Sequence, residues 1–223
     1  MDFASESKLV VSAGKADFKQ IVSGNSRNGE IIISGGTMTA DEVMIKRNSD
    51  GSISWSSGFL VSGGSATIGT LGLGTDNSWG VGRVTGGKLT VTDVLYIAYQ
   101  SSGGRGGGLR VSGGELIVSG NDGIILSRKR GNNANNVASL EITGGTVTTK
   151  RLALGYDASV NAGRATVTMS GNNSALYLGS GGLVRPGASS GFTATVTLSG
   201  GTLGADENWT TTVPLALGGN ITI

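Results

Sequence analysis

Apolar and polar residues alternate along this chain in short runs, and a glycine pair closes many of them. In one stretch Leu109-Arg110-Val111-Ser112 meets Gly113-Gly114, Glu115-Leu116-Ile117-Val118 follows, Gly120-Asn121-Asp122-Gly123 turns the chain again, and Ile124-Ile125-Leu126 completes the unit. A period of two marks strands with one buried face, and the Gly and Asn between them tolerate the positive φ of tight turns. The same step stands at Gly35-Gly36, Gly63-Gly64, Gly86-Gly87, Gly144-Gly145 and Gly200-Gly201, with degenerate copies at Ala13-Gly14 and Gly171-Asn172. First positions are spaced 22, 28, 23, 27, 31, 27 and 29 residues apart, a period that belongs to solenoids.

Strands this short do not suit a sandwich, no helical period separates them, and the three-strand unit itself repeats. The expected fold is therefore all-β, a right-handed parallel β-helix (β-solenoid) of about seven or eight coils with three short strands each. At an interstrand spacing of ~4.8 Å this is a rod about 35 Å long. A single β-solenoid domain is expected over 1–223, with 1–29 an N-terminal coil or cap, 30–200 the regular coils and 201–223 a C-terminal coil or cap. The third strand of each coil is expected to send two apolar residues inward: Val43/Ile45, Leu71/Leu73, Leu95/Ile97, Ile124/Leu126, Leu152/Leu154 and Leu176/Leu178. Stacked between coils, these bury a continuous aliphatic stripe at about 25 cal/mol per Å².

Composition removes several chemistries. Gly is 41 of 223 residues against 2 Pro, but the glycines sit in turns between Val/Ile/Leu/Thr runs and so act as punctuation, not low complexity. Cys and His are both absent, which excludes disulfides, thiolate nucleophiles, imidazole acid–base chemistry and the usual zinc or copper ligands. No apolar stretch reaches membrane-helix length, so no membrane insertion is expected. The start, Met1-Asp2-Phe3-Ala4-Ser5-Glu6-Ser7, lacks the basic and apolar regions of a signal peptide. It reads as an initiator added to an excised or mature fragment of a longer protein, to whose further domains the chain is covalently linked.

The pattern Ser-Gly-Gly-x-Leu-x-Val with Leu-x-Leu-Gly recurs over nearly the whole chain. Near its end, Gly201-Thr202-Leu203-Gly204-Ala205-Asp206-Glu207-Asn208-Trp209-Thr210 is followed by Val213-Pro214-Leu215-Ala216-Leu217-Gly218-Gly219-Asn220. Together these resemble the autotransporter-associated β-strand repeats of large secreted bacterial surface proteins. The resemblance implies a β-helical passenger stalk of an adhesin or of a multidomain polysaccharide-acting protein, secreted or displayed at the cell surface. The pattern breaks off at Asn220-Ile221-Thr222-Ile223, which suggests further coils in the parent.

Register converts the variable stretch after the third strand into a column. Its members are Arg47, Thr75, Tyr99, Arg128, Tyr156 and Ser180, followed one position on by Asn48, Asp76, Gln100, Lys129, Asp157 and Gly181. The outward residues of the third strand itself are Met44, Gly72, Tyr96, Ile125, Ala153 and Tyr177. The loops here vary in length and carry Trp55, Trp79 and Arg105, and solenoid insertions often mark the binding side. Flat rings stack on pyranose C–H faces, planar polar groups meet hydroxyls, and cations meet carboxylates or sulfates. The carbohydrate-binding candidates are accordingly Arg47, Trp55, Trp79, Tyr99, Arg128, Lys129, Tyr156 and Asp157. The bland reading has Tyr and Trp covering loop bases while Arg and Lys solvate the outside.

Between Ser101 and Arg185 nine basic residues face four acids, although the whole chain carries only +2. Such a local field favours an anionic polymer and makes binding salt-sensitive. Arg128-Lys129-Arg130 is too short a run, without a nucleic-acid fold signature, to argue for nucleic acid. A glycosidase needs two carboxylates flanking one bond, whereas Asp76 and Asp157 fall three coils apart. Asp41-Glu42, Asp50 and Asp206-Glu207 suit a hard cation such as calcium, but no motif specifies one, so no metal or cofactor is expected. Thr-Val-Thr segments at 90–92, 146–148, 166–168 and 195–197 are expected at unlike repeat positions. The sequence thus predicts a non-catalytic carbohydrate-binding module anchoring a secreted protein to an extracellular polysaccharide, uronic or sulfated. The alternatives are a stalk that spaces distal domains and, less favoured, a polysaccharide lyase or glycoside hydrolase.

Overall fold

The computed structural model describes residues 2–3, 7–23, 29–46, 53, 55, 58–75, 78–99, 106–128, 136–157, 160, 162–186 and 189–223. These residues form an all-β parallel solenoid. No helix occurs among them, and so none is long and apolar enough to cross a membrane.

Strands stack in three columns. The first contains β2 (Lys8–Val11), β4 (Glu30–Ile33), β6 (Gly58–Val61), β8 (Gly80–Val84), the start of β10 (Gly106–Val118), the start of β12 (Val137–Leu154), β13 (Gly163–Met169), the start of β15 (Phe192–Ala205) and β16 (Leu215–Thr222), each parallel to the next. β3 (Lys15–Ser23), β5 (Thr37–Ile45), β7 (Ser65–Leu73) and β9 (Lys88–Ile97) bend within their length and so supply both the second and third columns. β11 (Gly123–Leu126), the end of β12 and the end of β14 (Ser174–Val184) carry the third column onward. The short β1 (Asp2–Phe3) pairs with β3.

The Gly-Gly step works as a stacked corner. An added Cβ at Gly113 would lie 2.6 Å from the Thr85 carbonyl oxygen, and one at Gly114 2.6 Å from that of Gly87. Gly114 also has φ of 71°, which only glycine adopts without cost. The corner therefore demands glycine twice, for close backbone approach and for handedness. Between corners, alternation sends one face inward. Val43/Ile45, Leu71/Leu73, Leu95/Ile97, Ile124/Leu126 and Leu152/Leu154 are each no more than 1% exposed and belong to one continuous core, each side chain contributing about 1.5–3 kcal/mol of burial.

The register departs from the sequence expectation in the coil after Gly163. Leu176 and Leu178 are buried, but they stack on Val147 and Thr149 in the second column. The third column passes instead from Leu152 and Ala153 to Leu183 and Val184, so Tyr177, Ser180 and Gly181 leave the outward positions assigned to them. The cause is local ambiguity: Leu-x-Leu-Gly is what any inward-alternating strand ending in a turn produces, and only the distance from the preceding corner separates the two columns. A second correction concerns threonine. Thr166 and Thr168 stack directly on Thr195 and Thr197, so these two segments do share a position, while Thr90 and Thr148 lie in the second column separated by Ile117.

Candidate functional site

The third strand ends in a column of residues with left-handed backbone: Gly74, Ala98, Ser127 and Gly155, with φ of 75°, 61°, 66° and 85°. Ladder bonds hold them, with the Ala98 N–H donating to the Leu73 carbonyl at 2.7 Å, Ser127 N–H to Ile97 at 2.8 Å and Gly155 N–H to Leu126 at 2.7 Å. Ala98 and Ser127 are the described non-glycine residues with positive φ, a conformation costing on the order of 1 kcal/mol or more each. The residue after the kink is buried at Thr75, half-buried at Tyr99 and Arg128, and exposed at Tyr156. Thr75, Tyr99, Arg128 and Tyr156 stand one above another, with the Arg128 N–H donating to Ala98 O at 3.3 Å and the Tyr156 N–H to Ser127 O at 3.1 Å.

This column meets the outward face of the third strand, where Met44, Gly72, Tyr96, Ile125 and Ala153 are in register. Outward positions usually face water, yet Tyr96 is 7% exposed and Ile125 and Ala153 are fully buried. Val94, Tyr96, Ile125 and Ala153 form a second apolar cluster outside the core, with Tyr99 and Val184 packed on it. Tyr96 and Tyr99 lie with centroids 4.7 Å apart, tilted by 53°. The Arg128 guanidinium carbon sits 4.6 Å from the centroid of each and 5.5 Å from that of Tyr156, inside the range of cation–π attraction. Burial pushes the Tyr96 hydroxyl above its ordinary pKa, with the Arg128 charge pulling it part of the way back. Tyr156 keeps 38% of its surface exposed and caps the ladder.

A second aromatic–cation pair lies on another face of the same coil. The Arg110 guanidinium is 4.3 Å from the Trp55 ring centroid. Its Nη2 and Nε lie 2.7 and 2.8 Å from Glu141 Oε2, so this cation is paired with an acid one coil above.

Of the residues expected from sequence, Tyr99, Arg128 and Tyr156 come together, and Asp157 follows Tyr156 at an exposed position. Trp55 joins the other cluster. Trp79 is 3% exposed with its Nε1–H unpaired, a packed ring with no face to offer a ligand. Arg47 and Lys129 lie outside the described residues, as does Asp76. Tyr96, Arg110 and Glu141 were not among the candidates. Tyr96 is detectable as the outward third-strand residue of the coil whose column member is Tyr99; Arg110 and Glu141 are detectable as cross-strand partners only once the first column is in register.

No group of three or more His, Cys, Asp or Glu among the described residues is placed to hold a metal ion. The arrangement offers a cation embedded in aromatic surface, suited to recognition of a ligand with an apolar ring face and a negative group. No protein-family profile, curated protein or solved structure matches this chain.

Proposed function

We propose that the chain is a non-catalytic carbohydrate-binding module that anchors a secreted or surface-displayed bacterial protein to an extracellular, anionic polysaccharide. The observation that carries this reading is the Tyr99–Arg128–Tyr156 ladder with Tyr96 beside it: three tyrosines gathered around one guanidinium on a buried apolar outer face, built on two strained backbone positions. Strained backbone of this kind clusters at functional sites, and aromatic surface beside a cation is what a charged sugar requires. The resemblance of the repeats to autotransporter-associated β-strand repeats supports the surface location. In this reading the eight corner anchors give a rod of seven or eight right-handed coils. Affinity electrophoresis through gels carrying neutral, uronic or sulfated glycans tests the proposal; retardation in at least one acidic gel is expected, and unchanged migration across the panel overturns it.

A stalk that spaces distal domains is the second reading. What favours it is the unbroken aliphatic core running from Val11 to Val213, which makes a stiff rod without reference to the loops. That reading predicts no retardation in any gel.

A further inference from the structure

We infer that Arg128 is a carboxylate receptor, so that the ligand is a uronic-acid polymer recognised at the C6 carboxylate of one sugar. This inference rests on the polysaccharide reading and narrows it. The two arginines that sit over aromatic rings on this coil differ in one respect. Arg110 has Glu141 as an acceptor for two of its N–H donors, whereas among the described residues the Arg128 side chain meets rings alone: its guanidinium carbon lies within 6 Å of three tyrosine centroids, and the hydrogen bond it shares with them is the backbone N–H to Ala98. Arg128 is half-buried, so its charge is partly removed from water, and no described carboxylate is paired with it. Leaving the donors of a partly desolvated guanidinium unused is costly, and a ligand that supplies the acceptor recovers that cost on binding.

The chemistry of the acceptor follows from the surroundings. Rings cluster about the guanidinium carbon and hold a rigid planar fork of N–H donors, whose natural partner is a planar, two-oxygen carboxylate. One guanidinium set in aromatic surface matches a sugar with one negative group and a C–H face, and Tyr156 is the partly open ring beside it. A hexuronate presents both groups on one residue. Lysine would keep the charge but lose the fork, which separates shape recognition from simple ion exchange.

The test is calorimetry of the full chain against polygalacturonate, the same polymer with its carboxyls reduced to alcohols, and dextran sulfate. The wild type is expected to bind polygalacturonate and to lose at least about tenfold on the carboxyl-reduced polymer. Arg128→Lys and Arg128→Gln are each expected to weaken polygalacturonate binding by about tenfold while leaving binding to dextran sulfate within about threefold for Arg128→Lys. Equal binding to the reduced polymer overturns the carboxylate receptor and leaves the module reading intact. Undiminished binding by Arg128→Lys overturns it in favour of ion exchange. Absence of binding to all three polymers overturns both. Thermal melts of the two variants accompany the titrations, and Arg110→Gln serves as the matched loss of a ring-stacked cation.

Discussion

Arg110 and Arg128 belong to one coil, and both lie against aromatic side chains, yet the two faces they occupy are built for different ends. On the first-strand face, Arg110 is locked between Trp55 and Glu141, and its charge is spent within the fold. On the third-strand face, Arg128 is cradled by Tyr96, Tyr99 and Tyr156, and its charge remains available. Ring stacking alone therefore says little about function; what the other edge of the guanidinium meets decides between a structural pair and a receptor.

The largest expected effect comes from breaking the coil that both faces share. Gly114→Val places a Cβ against the Gly86–Gly87 backbone at a φ of 71° and is expected to lower stability by about 3 kcal/mol or more, seen as a lower denaturation midpoint, with both faces lost together. Next is Tyr99→Ala combined with Tyr156→Ala. It removes two walls of the Arg128 cradle, and retention on an acidic gel is expected to fall by about tenfold or more while stability changes by about 1 kcal/mol. Arg110→Gln is expected to reverse that pattern, costing about 1 kcal/mol of stability through lost pairing and ring contact with retention unchanged, as a urea melt and a gel run together would show.

A smaller difference concerns ionisation. Tyr96 is expected to titrate above the ordinary tyrosine range in an ultraviolet absorbance titration, because burial favours its neutral form, and Arg128→Gln is expected to raise it further by removing the nearby positive charge. Since its folded-state pKa lies above the unfolded one, the associated stabilisation is complete below about pH 10 and is lost as pH rises through the folded value.

The corners and inward strands were legible in the sequence because glycine pairs and a period of two leave few alternatives, and Leu71/Leu73 or Leu152/Leu154 fall where spacing places them. Leu176/Leu178 did not, since the same four-residue signature fits two columns and the corner at Gly171 is degenerate. The column Tyr99, Arg128 and Tyr156 was legible for the same reason as the core: each follows the third strand at a fixed offset. Its partner Tyr96 belongs to a face that alternation assigns to water, and its burial arises from packing with Val94, Ile125 and Ala153 on that face and with Tyr99 and Arg128 beside it. Trp79 shows the converse. A tryptophan in a loop reads as exposed from sequence alone, whereas its neighbours enclose it.

The most direct test of the account is a single affinity gel carrying a uronic polysaccharide, on which wild type, Arg128→Gln and Arg110→Gln run side by side at low and at high salt. The wild type and Arg110→Gln are expected to be retarded alike, Arg128→Gln to be retarded with about tenfold weaker apparent affinity, and high salt to screen the retardation. Equal retardation of the two variants would contradict the account.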